Sequence, residues 1–83
     1  MRYHAHILVG DPDATVALEI VEYLNDTGYK AYQASDSNTL MGLAKSLIPD
    51  LIIMGNFGDN ATLNICEQLR NDVDTKTVPI FLF

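Results

Sequence analysis

Residues 51–54, Leu-Ile-Ile-Met, place the strongest constraint on the fold of this chain. This short apolar run follows Pro49-Asp50 and ends at Gly55-Asn56. A continuous apolar run between turn residues is typical of a strand that is buried on both faces, as in a parallel sheet between two layers of helices. In such sheets the functional groups lie just past the carboxyl ends of the strands. We therefore expect Gly55 and the loop after it to decide what the domain can do.

The rest of the chain alternates strand and helix patterns. The residues predict strands at 7–9, 29–34, 51–54 and 78–83, and helices from 12–14 to about 25, at 38–47 and at 61–70. Asp13 suits the amino terminus of the first helix, residues 35–38 offer several caps for the second, and Gly28 suits the left-handed position after a helix. The βαβαβαβ pattern predicts one α/β domain over residues 1–83, with a doubly wound parallel sheet.

Right-handed crossovers restrict how this sheet is built. A strand order of 2-1-3-4 places the first helix on one face and the other two helices on the opposite face. The face with a single helix leaves the third and fourth strands uncovered there. The fourth strand is nevertheless apolar on both sides, at Ile80, Phe81, Leu82 and Phe83. Because exposed apolar area costs roughly 25 cal/mol per Å², we expect this surface to be covered by a partner, by a second copy or by further chain.

Composition excludes several classes of function. The net charge of −6 argues against intrinsic binding to nucleic acid or to anionic membranes. No apolar stretch approaches membrane-spanning length. The lone Cys66 permits no internal disulfide, which indicates the cytoplasm, and its inward position on a helix predicts a small core residue rather than a nucleophile.

Several segments resemble a response-regulator receiver domain, the flavodoxin-like module of two-component signalling. They include Ile7-Leu8-Val9-Gly10-Asp11, Pro49-Asp50-Leu51-Ile52-Ile53 and Val78-Pro79-Ile80, and they occur in the order of the family. The resemblance covers the whole chain but only the first four strands and three helices, so the last strand and helix elements of the fold are lacking. It implies either a fragment of a larger signalling protein, whose activity lies beyond residue 83, or a domain completed by pairing.

The resemblance also implies how the site has changed. Active receivers hold Mg²⁺ with an acidic pair after the first strand and accept phosphate on an aspartate that ends the third. Here Asp11 matches the first acid as a residual metal ligand, but Pro12 replaces the second and Gly55 stands at the phosphoacceptor position. A glycine has no carboxylate to phosphorylate. The resemblance therefore predicts a degenerate receiver (a pseudo-receiver) without catalytic residues and without a cofactor.

Three other hypotheses rest on smaller features. Asp11, Asp13 and Asp59 are candidates for a weak divalent site, although caps at a helix amino terminus explain the first two equally well, and loose carboxylates make no dedicated Mg²⁺ cage. His4 and His6 alternate on one side of the first strand, a spacing that can chelate a metal.

Gly10 and Gly55 flank the point where the strand order reverses, so a flat ligand could approach the backbone there. This small-ligand or metal-sensing module at the Gly10/Gly55 crevice is the alternative function. The main expectation is a non-enzymatic interaction module in phosphorelay signal transduction. Its contact residues would be Ile80, Phe81, Leu82 and Phe83, and its partner a signalling kinase, an output domain or a second copy in a homodimer.

Overall fold

The structure is a computed structural model that describes residues 4–83, except for the side chain of Asp59. Its elements in chain order are β1 (His6–Gly10), α1 (Ala14–Asp26), β2 (Lys30–Ala34), α2 (Ser37–Leu47), β3 (Leu51–Met54), α3 (Asp59–Asn71) and β4 (Ile80–Leu82). The strands form one parallel sheet in the order β2-β1-β3-β4. The alternating α/β architecture and the 2-1-3-4 order predicted from the sequence are both confirmed.

Two hydrophobic clusters lie on opposite faces of the sheet. Because side chains alternate along a strand, Leu8 faces one cluster and Val9 the other. The larger cluster joins the sheet to α2 and α3 through Leu8, Ala34, Leu40, Ala44, Ile52, Met54, Ile65, Leu69 and Val78. The smaller one joins it to α1 through Ile7, Val9, Ala17 and Val21. The predicted division of the helices between the two faces is therefore correct.

The helix ends follow their local sequence. The Asp13 carboxylate accepts a hydrogen bond from Thr15 N at 2.9 Å at the start of α1. Gly28 follows the end of that helix with φ of 102°, a left-handed conformation that glycine adopts without cost. Helix α2 ends differently, because Ile48 takes the left-handed position with φ of 45°. A β-branched side chain is strained there.

Strand β4 is shorter than predicted, because the preceding turn uses the backbone groups of Val78. Its N–H donates to Thr75 O at 3.0 Å, and its carbonyl accepts from Arg70 Nη1 at 2.9 Å. The Thr75 hydroxyl, itself buried, donates to Leu69 O at 2.8 Å and fixes the turn against the end of α3. Val78 is therefore a core residue outside the sheet, and the strand begins at Ile80.

The described part of the chain, residues 4–83, contains no helix that is long and apolar enough to cross a membrane.

Candidate functional site at the carboxyl edge of the sheet

The carboxyl ends of β1 and β3 bring Asp11 and Gly55 together. Gly55 N donates to Gly10 O at 2.8 Å, and Asp11 N donates to Ala34 O at 3.1 Å. The first bond continues the pairing of β3 with β1, and the second continues the pairing of β1 with β2, each by one residue. Asp11 and Gly55 are both buried. The parallel topology thus places both at one edge, as expected for the functional edge of such a sheet.

The Asp11 carboxylate occupies the space next to Gly55. Its Oδ1 accepts a hydrogen bond from Asp13 N at 2.8 Å, which turns the carboxylate toward β3. A Cβ atom built on residue 55 would overlap with Asp11 Oδ2 and would lie 2.9 Å from Cγ. The same Cβ would lie 3.2 Å from Phe83 Cζ. No side chain fits at position 55 unless Asp11 moves.

The space beside Gly10 is filled as well. A Cβ on this residue would lie 3.0 Å from Leu40 Cδ1 and 3.4 Å from Phe57 Cζ. The two glycines therefore allow close packing of the chain's own side chains. Neither leaves the open crevice that the ligand-sensing alternative requires.

The loop between β3 and α3 is held by hydrogen bonds to its own polar side chains. Asn56 Oδ1 accepts from Gly58 N at 2.8 Å, and Thr62 Oγ1 accepts from Phe57 N at 2.9 Å. Gly58 has φ of 116°, which only glycine tolerates readily. Together these contacts direct the Phe57 ring toward Gly10 and start α3 at Asp59, two residues earlier than predicted.

The predicted metal ligands have structural partners. Asp13 caps α1, as the structural explanation of this residue requires. His4 Nδ1 lies 2.9 Å from Gly28 O, and His6 stacks on Tyr32 with ring centroids 5.9 Å apart. Among the described residues, no group of three or more His, Cys, Asp or Glu side chains could hold a metal ion. The part of the hypothesis that concerns the Asp59 side chain falls outside the described residues.

One further carboxylate near this edge is electrostatically perturbed. Asp36 caps α2 and accepts hydrogen bonds from Thr39 N at 2.8 Å and from Thr39 Oγ1 at 2.9 Å. These bonds, led by the one from the backbone N–H, stabilise the charged form and lower the pKa of the Asp36 carboxyl below its ordinary value.

The four predicted contact residues differ in exposure. Phe81, Leu82 and Phe83 are each more than half exposed, with 59%, 52% and 52% of their surface accessible, whereas Ile80 is half-buried against the larger cluster. Phe81 pairs with Ile53, so both lie on the α1 face of the sheet. The sequence did not indicate that the Phe83 ring lies beside Gly55, 3.2 Å from a Cβ built there, because this placement depends on how far β4 extends.

Neither a protein-family model nor a curated protein matches the chain. Solved structures do. A chemotaxis response regulator of Vibrio cholerae matches with a TM-score of 0.87 and 22% identity, over 96% of this chain and 68% of that protein. The chain has the fold of response-regulator receiver domains.

Other structures with the receiver fold extend this finding. The N-terminal domain of a response regulator receiver protein from Methanoculleus marisnigri matches with a TM-score of 0.86 and 20% identity, over 94% of this chain and 64% of that one. The pseudo-receiver domain of the CikA protein matches with a TM-score of 0.70 and 24% identity, over 94% and 67%. The chain thus spans about two thirds of the length of these receiver structures.

Proposed function

We propose that this chain is a pseudo-receiver, a regulatory module of two-component signalling that does not accept phosphate and that acts through protein contacts rather than as an enzyme. Receiver and pseudo-receiver structures among its neighbours support a regulatory role. The observation that carries the proposal is the position of Asp11, whose carboxylate fills the space that a side chain on residue 55 would need.

The chemistry of the site supports the absence of phosphorylation. Gly55 offers no nucleophilic oxygen, and Asp11 is only 8% exposed, with one carboxylate oxygen already bonded to Asp13 N. Transfer of a phosphoryl group also requires cations that offset its charge. Among residues 4–83, the salt bridge that forms joins Lys45 to Asp72 at 3.5 Å and does not include Asp11. The site thus combines an absent acceptor with an enclosed carboxylate.

The contact surface is the exposed apolar end of β4, formed by Phe81, Leu82 and Phe83. Exposed apolar patches on a small domain mark interaction sites. The partner is a protein: a signalling kinase, an output domain or a second copy of the chain. The lone Cys66, which has no disulfide partner in the sequence, is consistent with a cytoplasmic location.

Intact-mass spectrometry after incubation with acetyl phosphate and Mg²⁺ tests the lack of phosphorylation. We expect the mass of the chain to stay unchanged, while a receiver that retains its acceptor aspartate, treated in parallel, gains one phosphoryl group. A mass increase of one phosphoryl group on this chain, whether lasting or transient, would refute the proposal.

Light scattering over a range of concentrations tests which partner the β4 surface binds. If the chain forms a homodimer, the measured molar mass should be twice that of the monomer, and Phe81→Ser should reduce it to the monomer value. Val73→Ser is the matched control, because Val73 is 76% exposed but lies in the connection before β4. A monomer at every concentration would exclude the homodimer and leave a different protein as the partner.

A further inference from the structure

A cleft between α2 and α3 has no role in the function proposed above. Its volume is about 210 Å³. We call it the α2–α3 cleft, and the lining residues used in the argument are Ser37, Asn38, Met41, Asn64, Ile65 and Gln68. A cavity of about 150 Å³ is large enough for benzene. The α2–α3 cleft therefore has room for one aromatic ring with a small substituent.

The cleft is lined by residues on one face of each helix. On α3, Asn64, Ile65 and Gln68 follow the spacing of a single helix face. Met41 of α2 is half-buried and Ile65 of α3 is buried, and these two side chains give the cleft an apolar floor.

The rim offers hydrogen-bonding groups that the protein does not use. The side chains of Ser37, Asn38, Asn64 and Gln68 are exposed, and within the part of the chain that the structure describes they make no hydrogen bond to other protein groups. Each carboxamide presents both donors and an acceptor, and the hydroxyl presents one of each kind. Three carboxamides around one apolar floor match a ligand that itself carries both a donor and an acceptor.

Charge narrows the class of ligand further. The lining carries no ionisable side chain, although the chain has a net charge of −6. A cationic or anionic ligand would lose hydration there without gaining a counter-charge. We propose that the α2–α3 cleft binds a small uncharged ligand that carries a carboxamide on an apolar body. This proposal does not depend on the proposed signalling function.

Benzamide and benzoate form a matched pair of probes, since they share the ring and differ in charge. Titration of the 83-residue chain, followed by NMR of the side-chain amide groups, should show saturable shifts of Asn38, Asn64 and Gln68 with benzamide. The expected dissociation constant for so small a ligand is on the order of 10 mM. Benzoate should leave these resonances unchanged at the same concentrations.

Two variants make the assignment specific. Asn64→Leu and Gln68→Leu replace exposed side chains, so the fold should persist, and each should weaken benzamide binding by about fivefold through the lost hydrogen bond. Glu67→Gln changes an exposed residue of α3 outside the lining and should leave the affinity unchanged. Equal shifts with benzoate, no saturable shift with benzamide, or full affinity in both leucine variants would each overturn the proposal.

Discussion

The contact between Asp11 and position 55 can be tested by adding one methyl group. In Gly55→Ala the new Cβ overlaps with Asp11 Oδ2, so the carboxylate must rotate away or the strands must separate. Overpacking of this kind costs about 1–3 kcal/mol. Rotation instead breaks the 2.8 Å bond from Asp13 N, and a bond to a charged group contributes about 1.5–3 kcal/mol.

A smaller effect acts in the opposite direction. Replacing glycine by alanine restricts the unfolded chain and stabilises the fold by about 0.4–1 kcal/mol where the backbone is compatible. The φ of Gly55 is not in the left-handed region, so this gain applies. The net expectation for Gly55→Ala is a loss of about 1–2 kcal/mol in the free energy of unfolding. In an Asp11→Ala background, where only the 3.2 Å contact with Phe83 Cζ remains, the same change should be close to neutral.

Urea unfolding monitored by circular dichroism on the four proteins of this double-mutant cycle measures the coupling, which should be about 2 kcal/mol. Gly42→Ala is the matched control. Gly42 lies within α2, and a Cβ built there meets nothing within 4 Å. That substitution should raise stability by about 0.5–1 kcal/mol. Equal destabilisation by Gly55→Ala with and without the Asp11 carboxylate would refute the close contact.

Three further predictions concern single residues. The pKa of the Asp36 carboxyl is lower in the folded chain, so its charge adds stability above the pKa of the unfolded state, and this stability is lost as the pH falls through the folded pKa. Asp36→Ala should therefore destabilise the chain at neutral pH but not in strong acid. Urea unfolding at a series of pH values measures this difference. Thr75→Val leaves the buried Leu69 carbonyl without its donor and should cost about 1–2 kcal/mol in the same assay. Ile48→Asn relieves a left-handed β-branched residue that is half exposed, and should raise the thermal midpoint through a gain of up to about 1 kcal/mol.

The sequence predicted the succession of strands and helices along the chain because apolar runs and turn residues are local signals. Asp13 and Gly28 act at the helix ends where these residue types are favoured, and among the cap candidates at residues 35–38 the structure uses Asp36. Errors arose where tertiary contacts redirect the backbone. Valine is favoured in strands, but the Val78 carbonyl accepts a hydrogen bond from Arg70 and its N–H donates to the Thr75 carbonyl, so neither group is free to pair with a neighbouring strand. Such a contact has no signature in a window of neighbouring residues.

The candidate site was predicted in position but not in content. Parallel pairing was enough to bring Asp11 and Gly55 to one edge. The direction of the Asp11 carboxylate depends on its bond to Asp13 N, a rotamer choice that residue types do not specify. The crevice hypothesis did not predict that the side chains of Leu40 and Phe57 fill the space beside Gly10. Leu40 belongs to α2 and Phe57 to the loop after β3, so their position depends on tertiary packing that residue types do not specify.

The unequal clusters on the two faces of the sheet have a consequence for local opening. Helix α1 is held by a cluster of four buried residues, two of which, Ala17 and Val21, are its own, whereas α2 and α3 share a cluster of nine. Local unfolding free energies follow buried apolar contacts. The amide protons of α1 should therefore exchange with solvent sooner than those of β1, which both clusters cover. We expect the opening that releases α1 to require less free energy than the opening of the layer formed by α2 and α3.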